Sequence, residues 1–166
     1  MRKSLLLRLH VHPSPLLVIF EINFFRSLAA AMLTAILPIF FRKFVDSDAQ
    51  VGLIFFVGYL ASFLSNIYSS FIIEHLKKRK SLLLAIIFFT ILFALFTVVN
   101  HTAILLLLFA VYQFMLSLFV LDVSLYIKHY SNYREIAENA GKLGSLGNIG
   151  WLIGPFLGAL IAQTYG

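Results

Sequence analysis

Apolar residues fall into five blocks along the chain, 16–41, 51–73, 82–99, 103–125 and 143–162, separated by short polar links. Runs such as 103–109, Ala-Ile-Leu-Leu-Leu-Leu-Phe, show no alternation with period two, which argues against barrel strands. A helix rises 1.5 Å per residue, so about 20 apolar residues cross roughly 30 Å of hydrocarbon. Each block comes close to that length. The pattern predicts an all-α integral membrane protein of about five transmembrane helices with short connections.

Composition supports this reading. Of 166 residues, 61% are hydrophobic and 12% charged, with a mean hydropathy of +0.95. A soluble domain carries about twice that charged fraction, and disorder needs the opposite balance. The absence of cysteine excludes disulfides, thiolate metal sites and cysteine nucleophiles. No HExxH, GxSxG or GxxxxGK[ST] pattern occurs, nor a His/Asp set with metal-ligand spacing. The expectation is therefore a non-enzyme without cofactor or metal.

Charge placement predicts orientation. Residues 1–15 carry Arg2, Lys3 and Arg8, and their apolar run is interrupted by Arg8, His10, His12, Pro13 and Pro15. They read as a cytoplasmic tail rather than a signal peptide, with the prolines before or at a helix start. Lys77, Lys78, Arg79 and Lys80 follow the second block, and Lys128, Arg134 and Lys142 follow the fourth. Only Arg42 and Lys43 lie in the links on the opposite side. The positive-inside rule puts the tail and both basic links in the cytoplasm and residues 163–166 outside, in the cell membrane. The net charge of +6 is thus a topological signal, and nucleic acid is not an expected partner.

The fifth block is rich in glycine. Gly144, Gly147, Gly154 and Gly158 read as one helical face with Gly150 on its flank, a groove that another backbone can approach closely. Pro155 cannot bond the carbonyl of Trp151, so a bend is expected there. The order Gly141-x8-Gly150-x3-Gly154-Pro155-x2-Gly158-Ala159 resembles the fifth-helix signature of the major facilitator superfamily, best known in its drug–proton antiporter branch, with Ala159 replacing the last glycine. The resemblance implies a bent, tightly packed helix near the outward end of a central cavity.

The link at 70–80 resembles the family's loop between its second and third helices. Glu74 stands for the acid, His75 for the arginine, and Lys78 with Arg79 for the basic pair, while Ser70 and Lys77 replace the glycines. The resemblance implies a cytoplasmic gating loop. The end of the first block, with Pro38, is similar to the family's first helix, whereas Ala110 and Phe114 stand where many members have an arginine and a glycine. The resemblance further implies an N-terminal six-helix half, of which 16–166 is a truncated bundle whose partner is the missing C-terminal half. The implied function is secondary active transport of a small solute by alternating access, with a drug-like compound exchanged for protons. A second reading is a complete small polytopic membrane protein acting as an accessory or interaction subunit.

Polar and ionisable residues within the blocks are costly in lipid and so are candidate pathway residues for substrate or protons. They are Glu21, Asn23 and Arg26 in the first block, and Gln113, Ser117 and Asp122 in the fourth. Glu21 and Arg26 are five apart, about 140° around a helix, and make poor partners for each other. Asn23 and Arg26 share a face with Ser27 and Ala30. Glu21 and Asp122 are expected at similar cytoplasmic depth, close enough to meet the ends of Arg26 or Lys78.

Overall fold

A computed structural model describes residues 14–75 and 78–165. The described residues form α1 (Pro15–Arg42), α2 (Asp48–His75), α3 (Lys78–Val98), α4 (Thr102–Tyr130) and α5 (Ile136–Tyr165). Residues 1–13 of the expected tail lie outside the described residues.

Local chemistry sets the helix ends. Pro15 opens α1, where its missing N–H is no loss, and the Ser14 hydroxyl accepts from the Leu17 N–H at 3.2 Å. At the start of α2, the Ser47 hydroxyl accepts from the Gln50 N–H at 3.3 Å, and Gln50 Oε1 accepts from the Ser47 N–H at 3.2 Å. This reciprocal box satisfies donors that the first turn leaves unpaired. The Thr102 hydroxyl donates to the Phe44 carbonyl at 2.9 Å, tying the start of α4 to the link between α1 and α2. At the other end of α4, Asn139 Nδ2 donates to the Ser131 hydroxyl at 2.8 Å and fixes the entry to α5.

The helices run beyond the apolar blocks. α4 continues to Tyr130 and α5 begins at Ile136, so polar turns at both ends extend the helical backbone. Hydropathy marks only the stretch suited to hydrocarbon, not the whole helix. α1, α2, α4 and α5 are each long and apolar enough to cross a bilayer. The apolar part of α3, Leu82–Val98, has 17 residues. At roughly 26 Å it lies at the short end for a span. The five blocks of the sequence are thus four long apolar helices and one shorter helix.

Two seams hold the bundle together. α1 packs along α5, α2 packs along α4, and α1 meets α4 between the seams, while α3 lies on α4. Both seams join parallel helices. Along the first, the neighbours of Gly147, Gly150, Gly154 and Gly158 advance from Asn23 to Met32. Along the second, Gly58 faces Phe109 and Gln113, and the Ser65 hydroxyl donates to the Phe114 carbonyl at 2.8 Å. Further on, the Ser117 hydroxyl donates to Asn66 Oδ1 at 2.6 Å.

Apolar clusters fill the interior toward both ends of the bundle. One is centred on Phe41, Leu105 and Phe109, all 0% exposed, and the other on Phe119, Val123 and Ile127. The Phe41 and Phe109 rings meet edge to face with centroids 5.0 Å apart, and Phe55 and Phe109 do so at 5.4 Å. Such pairs contribute about 0.5–1.5 kcal/mol each beyond area burial. Large apolar side chains such as Phe56, Phe63, Ile67, Leu152 and Phe156 face outward. In lipid that outer surface carries no hydrophobic penalty, so packing and polar bonds between helices must hold the bundle.

Candidate functional site

The glycine face of α5 determines how close α1 can come. A Cβ at Gly150 would lie 2.8 Å from the Leu28 nitrogen and 3.1 Å from the Phe24 oxygen. At Gly158 it would lie 2.6 Å from the Met32 oxygen and 2.9 Å from the Met32 Cα. At Gly154 it would collide with the Ala31 Cβ and lie 2.9 Å from the Leu28 oxygen. These neighbours are mostly backbone, which cannot swing aside as a side chain can. Glycine is the residue that permits this approach.

The face differs from the sequence expectation in two members. Gly150 belongs to its centre, whereas Gly144 is exposed with no atom within 4 Å of an added Cβ. At 100° per residue, Gly150 stands about 40° from Gly154, but Gly144 stands about 80° away. Gly141 is also exposed and meets nothing within 4 Å, and Pro155 is exposed. Of the fifth-helix motif, the structure therefore brings Gly150, Gly154 and Gly158 onto α1 and leaves Gly141 and Pro155 off the seam. α5 is helical through Pro155.

The polar row of α1 begins where the glycines end. Asn23 Nδ2 donates to the Leu143 carbonyl of α5 at 3.0 Å. Arg26 Nη2 donates to the Ser27 hydroxyl at 2.8 Å and to Asn23 Oδ1 at 3.4 Å. Asn23 and Ser27 are buried, and Ala30 is buried one turn further on, as the shared face required. The Arg26 guanidinium also lies 6.0 Å from the centroid of the Phe119 ring on α4. Glu21 is exposed.

Arg26 and Glu21 both line a groove of about 440 Å³ between α1, α3 and α4. Ile22, Phe25, Phe89, Leu116 and Phe119 form much of its apolar wall. A second recess of about 360 Å³, lined by Leu33, Ile36, Phe96 and Phe109 among others, shares Phe93 and Tyr112 with the first. The two adjoin at these side chains.

The fourth-block candidates do not join this groove. Gln113 is buried against Gly58, and Ser117 bonds Asn66, so both face α2. Asp122 is buried on α4 and does not line the groove. The structure thus brings Glu21 and Arg26 together with Tyr112, not with Gln113 and Ser117. The sequence reading missed Ser65 and Asn66, although they are polar residues in an apolar block, as Asn23 and Ser117 are. Of the expected gating loop, Leu76 and Lys77 lie outside the described residues, as do the side chains of Ser70, Glu74, His75, Lys78 and Arg79. Among the described residues, no three acidic or histidine side chains gather to hold a metal.

The family model of the Major Facilitator Superfamily matches residues 19–166. The chain belongs to the Major Facilitator Superfamily. No curated protein and no solved structure matches it. The superfamily is one of transporters rather than enzymes, so the chain is a multi-pass membrane protein of major facilitator type. The packing fits that membership. Major facilitator halves contain two inverted three-helix repeats. Exchanging the repeats swaps α1 with α4 and α2 with α5, which maps the α1–α5 seam onto the α4–α2 seam.

Proposed function

We propose that the chain is the N-terminal part of a secondary transporter that moves a small amphipathic solute by alternating access in exchange for protons. The observation that carries this reading is the division of labour on α1. One face is locked to α5 by glycines and Asn23, while another presents Glu21 and Arg26 along an apolar groove. A rigid seam beside a polar, solute-sized groove suits a half that rocks as one body around a bound solute. Glu21 is the proton-carrying acid in this reading, and Arg26 is the fixed charge beside it. In this reading a C-terminal half closes the opposite side.

Glu21→Gln should insert normally, since removing an acid from an apolar helix lowers its cost in lipid. In proteoliposomes of the whole transporter, solute-driven proton movement should fall to background. Solute exchange at equal pH should persist. Transport with an unchanged pH profile would contradict the role given to Glu21.

The proposed orientation is a cytoplasmic N-terminus in the cell membrane, with the end of α5 outside. The chain has no cysteine, so single cysteines report cleanly. Asn100→Cys, in the exposed link before α4, should react with an impermeant maleimide added to intact cells. Asn132→Cys, in the link before α5, should react only after permeabilisation. The reverse pattern would invert the topology.

A further inference from the structure

The amide of Gln113 is held among apolar side chains without a partner. Gln113 is 9% exposed, and among the described residues its side chain makes no hydrogen bond. Neither its oxygen nor its nitrogen is sealed from the surface, as Arg26 Nε is. An amide kept from both water and partners is costly, so a reachable one in an apolar wall gains from a ligand that bonds it. It presents an acceptor and a donor side by side in one plane.

The surroundings narrow the ligand. Four residues before Gln113, on the same face of α4, the Phe109 ring meets Phe41 of α1 at 5.0 Å and Phe55 of α2 at 5.4 Å. This face therefore looks into the angle between α1 and α2, which the three rings close at one end. α4 meets α3 through other residues, Tyr112 and Phe119, which both pack on Phe89. Across from Gln113, Gly58 brings no side chain over the amide. Tyr59 and Asn66 are exposed on α2, with Ser62 half-buried between them. Asn66 accepts from Ser117 through Oδ1, and its Nδ2 has no partner among the described residues. The Tyr59 ring stacks on Phe55 at 6.3 Å. Tyr59, Ser62, Asn66, Gln113 and Ser117 are all neutral at pH 7, so a charged group would find no countercharge among them.

We propose that this wall binds a neutral ligand with a lactam or primary carboxamide edge. The ligand carbonyl accepts from Gln113 Nε2, its N–H donates to Gln113 Oε1, and its flat body lies toward the Tyr59 ring. Two parallel bonds satisfy both amides at once, whereas an ester or ether leaves the Gln113 oxygen unpaired. The site goes beyond the transport reading. It puts ligand recognition on α4 and α2, apart from the groove of Glu21 and Arg26, and binding there stands whether or not the chain transports.

The test compares 2-quinolone, a lactam, with coumarin, a lactone of the same shape in which oxygen replaces the ring N–H. Binding is measured to the full chain in phosphatidylcholine nanodiscs, with empty discs subtracted. 2-Quinolone should bind with a stoichiometry of one and at least about tenfold more tightly than coumarin, which sets an acceptor against Gln113 Oε1. Gln113→Met keeps the length of the side chain without the amide and should bring 2-quinolone down to the affinity of coumarin. By SDS titration this variant should be at least as stable as the parent, because the lost amide made no bond inside the protein. Ser62→Trp, at the level of Gln113 on α2, should abolish binding of both probes, with circular dichroism and gel filtration confirming that it folds. Equal affinity for lactam and lactone, a preference that survives Gln113→Met, or binding that survives Ser62→Trp would overturn the proposal. So would a loss of stability in Gln113→Met, which would assign the amide to a bond between helices. A shift of that variant from dimer to monomer on gel filtration would equally overturn it, by assigning the amide to a second copy of the chain.

Discussion

Gly158→Leu should leave the chain inserted in the membrane but force α1 away from α5 and abolish transport. Leucine exceeds glycine in helix propensity by about 1 kcal/mol, and its insertion at a span centre is favourable by several tenths of a kcal/mol. Helix formation and insertion should therefore not suffer. The loss lies in packing, because a Cβ at 158 already stands 2.6 Å from the Met32 oxygen. Overpacking of this kind costs about 1–3 kcal/mol for small intrusions, and a four-carbon side chain against backbone belongs at or above the upper end. Unfolding of purified protein by titrated SDS should show a loss of about 3 kcal/mol. Even alanine at 154 should destabilise the seam, since its Cβ would collide with that of Ala31. Gly144→Ala is the control, with open space at the added methyl. It should be neutral or stabilising by up to about 1 kcal/mol.

Gly58→Leu should have a comparable effect on the other seam. The Cβ at Gly58 runs into the ring of Phe109 and lies 3.1 Å from Gln113 Cγ. A side chain is ordinarily a softer obstacle than backbone. Here the ring is 0% exposed and boxed in by Phe41 at 5.0 Å, Phe55 at 5.4 Å and Tyr112 at 6.1 Å between centroids. The ring and α2 must therefore move apart, at about 2–3 kcal/mol in the same titration. The double variant Gly58→Leu, Phe109→Ala removes the obstacle as it adds the bulk. It should recover at least about 1 kcal/mol relative to the sum of the single changes. Strict additivity would show that residue 58 does not face this ring.

Much of the fold was legible because the bilayer imposes a length and a polarity on each crossing helix. The blocks located all five helices, and Pro15 stands at the start of α1, where a missing N–H costs little. Hydropathy could not give the polar ends of α4 and α5, since water-exposed turns carry no apolar signal. Gly58 was invisible for a related reason. A single glycine in an apolar block has no spacing partner, and its role depends on a ring 51 positions later. The site was legible in part. Asn23, Arg26 and Ser27 fall together because three- and four-residue spacings are local geometry. The direction of Gln113 and Ser117 was not, because which helix flanks α4 on that side is a property of tertiary packing.

The transporter fold requires α1 and α5 to be joined in one particular register, and a pair of cysteines reads that register directly. A Cβ at Gly147 lies 4.0 Å from the Ser27 Cβ, within the usual separation of about 3.5–4.5 Å for a disulfide. With no native cysteine to compete, Ser27→Cys, Gly147→Cys should oxidise rapidly in isolated membranes. Split by a protease site in the link between α4 and α5, the two pieces should stay together until reduced. Ser27→Cys, Gly144→Cys, one turn off the face, should come apart under the same oxidant. Efficient linkage at 144, or none at 147, would contradict the glycine seam and the transporter fold built on it.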